Sequence, residues 1–209
     1  MKEEKHILER VLSLFIPYGI RSVTMEDIAR ELGVSKKTLY TDFKDKDDLI
    51  RRVIDFDSTQ SREFYEEVYH SDFNAIQEIF SVNSRMHSFR SRYSATFNHD
   101  LKRYYPEIYR SWIHEKRENM YKMIVENLRK GKREGIYRKE INEQAIGSLY
   151  IARMEMLDNN EIIQAHNSRS DEFMKEIFSY HLHGICNENG LKILSQFKEK
   201  MENRQDYKI

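Results

Sequence analysis

The stretch Thr24-Met25-Glu26-Asp27-Ile28-Ala29-Arg30-Glu31-Leu32-Gly33-Val34-Ser35-Lys36-Lys37-Thr38-Leu39-Tyr40 leaves its chain few choices. Thr24 suits a helix cap, Asp27 stands three residues on as in a capping box, and Ile28, Ala29 and Leu32 recur at helical spacing. Gly33 supplies the left-handed residue that stops a helix, Val34 is expected to plug the angle, and Ser35 caps a second helix almost at once. Two helices joined by so short a turn imply a helix-turn-helix unit.

Stepping around the second helix from Leu39 as the inward anchor puts Thr38 and Tyr40 beside the core and turns Lys37 and Thr41 outward. Lys36 falls in the first turn, where backbone N–H groups already favour a phosphate. Lysines and hydroxyls on such a helix reach phosphates and base edges in a major groove, while the apolar residues hold it to its own domain. The competing reading is a solvated helix pair in an ordinary bundle, and the flanks argue against it. Upstream, Ile7, Leu8, Val11, Leu12, Phe15 and Tyr18 form an apolar stripe that ends at Pro17 and Gly19. Downstream, Phe43 faces the way Leu39 does, Lys46 and Leu49 follow at intervals of three, and Asp45, Asp47 and Asp48 suit a helix start.

Residues 5–50 resemble the N-terminal domain of the TetR family of transcriptional regulators, through the first stripe, Thr24 to Leu32, the Gly33-Val34-Ser35 turn, Thr38-Leu39-Tyr40, Phe43, Lys46 and Leu49. The resemblance implies an all-α dimer: an N-terminal three-helix helix-turn-helix DNA-binding domain, residues 1–48, and a larger C-terminal helical domain, residues 49–209, for effector binding and dimerisation. Carried over, Thr24, Tyr40 and Lys46 would contact phosphates and residues 35–41 would enter the major groove, giving Ser35, Lys36, Lys37, Thr38, Thr41 and Lys44 as further DNA-binding candidates. Lys37 stands where the family often has glycine, and Asp42 puts an acid near the expected DNA backbone, so the operator cannot be copied from a relative.

Charge explains how such a head must work. Lysine plus arginine equals aspartate plus glutamate at 35 each, and residues 1–50 hold nine basic against ten acidic side chains. DNA affinity then has to come from the focal charges Lys36, Lys37, Lys44 and Lys46, with few phosphates neutralised per head. Dimerisation would supply the remainder by linking two heads. Two prolines and seven glycines in 209 residues, with no alternating β-branched run, agree with an all-α chain. The absence of a long apolar run and a single cysteine, Cys186, point to a soluble cytoplasmic protein without an intrachain disulfide.

After Leu49 the chain reads as long helices. One continues through Ile50, Val53, Ile54 and Phe56; the next runs from Asn74 to about Arg90; Pro106 opens a long one that Gly131 and Gly135 end; Asn142 leads into another from Glu143 to Leu157. The candidate effector lining is Met86, Phe89, Tyr93, Phe97, Trp112, Met120, Tyr150 and Met154, since methionines and aromatics make adaptable apolar cavities. Plain core packing is the competing reading for each, and Arg85, Arg153 and Glu155 are candidates for orienting a polar ligand group. At the C-terminal end Phe173, Ile177, Tyr180, His181, Gly184, Leu191, Leu194 and Phe197 form the candidate dimer interface of a four-helix bundle.

Catalysis has little support: there is no phosphate-cradling glycine loop, nucleophile elbow or HExxH pair, and no cofactor is expected. His181 and His183, two apart on a helix, point away from one another and cannot share an ion. The expected partners are double-stranded operator DNA, a second copy of the chain and a small-molecule effector, with no membrane. Two alternatives stay open, a partner-controlled or architectural DNA-binding protein without a ligand, and an interaction bundle that has lost DNA binding.

Overall fold

The computed structural model describes the backbone of residues 2–159 and 171–202, and their side chains except those of residues 2, 3, 86–92, 157–159, 171 and 200–202. Among the described residues ten helices follow one another: α1 Lys2–Tyr18, α2 Met25–Leu32, α3 Lys36–Asp42, α4 Lys46–Tyr69, α5 Ala75–Arg92, α6 Ala95–Tyr104, α7 Pro106–Arg133, α8 Glu143–Asn159, α9 Asp171–Ile185 and α10 Glu188–Glu202. The only pairing of strand type among them is an isolated bridge between Tyr137 and Cys186. None of these helices is long and apolar enough to cross a membrane.

The helices pack as two compact units, Met1–Phe64 with Ser88–Lys116, and Tyr65–His87 with Arg117–Ile209. Residue 48, where the functional division was expected, lies inside α4, which runs on unbroken. In the first unit Leu8, Val11, Leu12 and Phe15 of α1 are buried against Ile28, Leu39, Phe43, Leu49, Ile50 and Val53, and the same core takes in Tyr93, Phe97, Leu101 and Trp112. Each fully buried side chain of this size stabilises by about 1.5–3 kcal/mol relative to an exposed one. Tyr18, assigned to the α1 stripe from its spacing, is 64% exposed, because α1 ends there and Gly19 turns the chain away at φ 81°. A Cβ on Gly19 would lie 2.7 Å from a Thr96 methyl and 2.9 Å from the Asp100 carboxylate, and Asp100 in turn accepts the Arg21 N–H at 2.9 Å.

The second unit is centred on Ile76, Ile79, Phe80, Ile124, Leu128, Tyr137, Tyr150, Phe178, Leu182 and Leu194. Phe80 meets the rings of Phe178 and Phe197 edge-on at 5.0 and 4.9 Å. Within it lies a polar centre. Buried Glu78 pairs with Lys130, Asn127 donates to Ala75 O at 2.8 Å and to Glu78 at 3.0 Å, and the Tyr137 hydroxyl donates to Asn127 at 3.2 Å. Gly131 does not end α7, as its position suggested; the helix continues to Arg133. A Cβ there would come within 2.0 Å of the Tyr137 ring, so Gly131 is the floor on which that ring lies. Gly135, at φ 70°, makes the turn.

Candidate nucleic-acid interface

Both helices of the helix-turn-helix are fixed by short-range bonds. The Thr24 hydroxyl accepts the Asp27 N–H at 3.1 Å while the Asp27 carboxylate accepts the Thr24 N–H at 2.9 Å, a full capping box at the start of α2. Gly33 ends α2 at φ 72°, and the Val34 N–H reaches Ala29 O at 3.0 Å, closing the turn. Ser35 then accepts the Thr38 N–H at 3.0 Å and starts α3. Leu39, 2% exposed, pins α3 to the core. Val34 does not plug the interhelical angle; it is 39% exposed, since the close of the turn lifts its side chain outward, while Val23 and Met25 lie buried in the core before it.

The outward surface of α3 presents Lys36, Lys37, Thr38, Tyr40 and Thr41, and Lys44 follows it, all exposed. Their hydroxyls are partly engaged: Ser35 and Thr38 share a bond of 2.8 Å, and Thr41 donates to Thr38 O at 2.5 Å. Among the described residues, the Lys36, Lys37 and Lys44 ammonium groups and the Tyr40 hydroxyl have no bond partner within the protein, and so stand ready for an external acceptor.

Two of the expected phosphate contacts, Thr24 and Lys46, have bond partners within the protein. Thr24 donates its hydroxyl proton to Asp27 at 2.6 Å, and this bonding holds the Asp27 carboxyl below its usual range. The Lys46 ammonium turns inward and donates to Ile20 O at 2.6 Å, with Arg21 O at 3.5 Å. Burial pushes its pKa down, opposed by Asp100, Asp47 and Asp27. Lys46 therefore ties the start of α4 to the loop after α1. No spacing in the sequence distinguishes this from a solvent-facing lysine.

The expected effector residues fall in both units. Tyr93, Phe97 and Trp112 belong to the first core, with ring centroids 5.0–6.2 Å apart. Tyr150 is in the second core, with Met120 and Met154 packed at its edge, whereas the Met86 and Phe89 side chains lie outside the described residues. Arg153 stacks on Tyr150 at 4.5 Å and donates to Ile177 O at 3.1 Å, and Glu155 pairs with Arg117 at 2.7 Å; Arg85 is exposed. An open groove of about 550 Å³ lined by Arg10, Leu14, Tyr18, Asp27 and Arg30 lies apart from all of these. Sequence reasoning missed Asp57, a buried acid whose signal was available: it stands one helical turn beyond the core residues Val53 and Ile54.

The expected dimer residues also divide. Tyr180 is 80% exposed, Leu191 is 37% exposed, and Gly184 has open space at its Cβ position. Leu194 is instead buried in its own unit, with Phe197, half-buried, against the same core. Phe173 and Ile177 are half-buried. His181 lies against the Tyr150 ring at 5.0 Å with no partner for its Nε2. Burial first, then Arg153, lowers its pKa to about 3. Cys186 is buried and its thiol is pushed up to about 11 by desolvation, which keeps it protonated and unreactive.

Residues 7–53 match the family described as bacterial regulatory proteins of the tetR family. An HTH-type transcriptional regulator of Staphylococcus aureus strain USA300 is 36% identical over 81 residues, covering 36% of this chain and 43% of that protein, so the match spans less than half its length. Over the whole fold, a transcriptional regulator from Cytophaga hutchinsonii aligns with TM-score 0.69 at 16% identity, covering 90% of this chain and all of the other. A gamma-butyrolactone receptor, an ArpA-like protein, aligns with TM-score 0.62 at 13% identity over 97% of each chain. Joined to the capped α2–turn–α3 geometry, these matches identify residues 7–53 as a helix-turn-helix domain of the tetR type.

Proposed function

We propose that the chain is a dimeric repressor that binds a palindromic operator through α3 and is released by a small-molecule effector. Residues 1–48 are the DNA-binding domain in this reading, and residues 49–209 bind the effector and dimerise. The observation that carries it is the set of unengaged cations, Lys36, Lys37 and Lys44, on and beside a helix locked at its start by Ser35 and underneath by Leu39. Lys37 reads a base edge, Lys36 and Lys44 hold phosphates, and Tyr40 adds a phosphate contact. With so few cations per head, two heads on adjacent half-sites are needed for useful affinity. Exposed Tyr180, Gly184 and Leu191 are the part of the expected dimer surface left for a second copy. The likeness of the fold to a solved gamma-butyrolactone receptor supports an effector for this chain. Its place of action is the cytoplasm.

A ligand-free, partner-controlled regulator is the second reading. It is favoured by the close packing of Tyr93, Phe97 and Trp112, where an effector was expected. Selection of binding sites from random double-stranded DNA tests the shared core of both readings. An enriched inverted repeat is expected, and no enrichment would overturn it.

A further inference from the structure

Asp57 of α4 is 2% exposed in the first unit. Its carboxylate accepts from the Tyr93 hydroxyl and from Trp112 Nε1 at 3.3 Å, and the Lys116 ammonium lies 3.6 Å away. That ammonium also sits 3.6 Å from the centroid of the Trp112 ring and 5.2 Å from that of Tyr93. Two aromatic rings and a desolvated carboxylate around one positive centre are what an alkylammonium ion needs for recognition. Here the centre is the chain's own side chain, 22% exposed, at the end of a flexible stem that can carry it back to water.

We infer that this cage is an effector site for organic ammonium ions, which enter by displacing Lys116; the inference rests on the effector-released reading above. Charge selects the class. A neutral compound displacing Lys116 would leave the buried carboxylate without its cation, and an acid would add repulsion. A ligand bulkier than the lysine tip must part Asp57 from Trp112, and so move α4 against α7 inside the unit that also contains α3. The ligand thereby acquires a different affinity for the two arrangements, which is what an effector requires.

Trp112 is the chain's single tryptophan, so its fluorescence reports the cage directly. The full-length protein is titrated with benzyltrimethylammonium, with benzyl alcohol and benzoate as neutral and acidic counterparts. A saturable change with the cation alone is expected. Lys116→Ala removes the internal competitor and should tighten binding by about tenfold or more, whereas Asp57→Asn should weaken it by a similar factor. No saturable response to the cation from the native chain overturns the inference, as does an equal response to benzyl alcohol or a Lys116→Ala affinity no better than native. Operator binding without any cation is measured in parallel: retained DNA binding with no cation response removes the cage and leaves the regulator reading standing. Saturable cation binding that leaves operator affinity unchanged overturns the effector role.

Discussion

Residues 24–42 and the polar centre of the second unit are held in opposite ways. Along α2 and α3, the capping and turn bonds join residues three to five apart: Thr24 with Asp27, Val34 with Ala29, Ser35 with Thr38, and Thr41 with Thr38. In the second unit, Glu78 pairs with Lys130 across 52 positions, and Asn127 holds Ala75 across the same distance. Helices α2 and α3 therefore assemble from their own neighbours and leave the outer face of α3 without a structural duty. The second unit instead depends on a few buried polar groups that must all be satisfied together.

The largest effect expected from this contrast is at Lys130. Lys130→Met leaves the Glu78 carboxylate buried without its cation, and should lower stability by about 3 kcal/mol or more in denaturant unfolding. A loss below about 1 kcal/mol would show that the centre is solvated and not a keystone.

Acid should act on the same unit next. His181 has a folded pKa of about 3 against an ordinary 6.5. Above pH 6.5 both states hold it neutral and stability is complete; below, the unfolded chain takes the proton and the folded one does not, so stability falls progressively towards pH 3. On the order of 2 kcal/mol should be lost between pH 7 and pH 5, and His181→Phe should remove that slope. An unchanged slope in the variant would assign the acid sensitivity to other groups. Gly131→Ala forces a methyl into the Tyr137 ring and should cost about 1–3 kcal/mol, visible as a lower unfolding midpoint.

The head should respond more gently. Thr24→Ala removes one half of the capping box and is expected to cost about 1 kcal/mol. Lys37→Ala should leave stability within about 0.5 kcal/mol, as for an exposed side chain without partners, while losing about 1–3 kcal/mol of specific DNA affinity. A large stability loss from Lys37→Ala would break the contrast, because it would make the outer face of α3 part of the scaffold.

The same contrast explains what could be read in advance. The capping box, the Gly33 stop, the Ser35 cap and the inward Leu39 all follow from spacings within one turn, and each is present. The starts of α7 at Pro106 and α8 at Glu143 were legible for the same reason. Lys46 was not, because its partner carbonyl at Ile20 lies 26 positions away. Gly131 looked like a helix stop until Tyr137 folded back over it, and Leu194 looked like interface until its own core enclosed it. Apolar periodicity says that a residue faces something, not which surface it faces.

The most direct test of the central claim, that α3 reads sequence through its exposed cations, is to repeat the binding-site selection with Lys37→Ala and compare the enriched DNA with that of the native chain. An inverted repeat is expected whose half-site spacing is retained and whose preference relaxes at one symmetry-related pair of positions. An identical preference at every position would contradict it, and would move sequence reading away from Lys37.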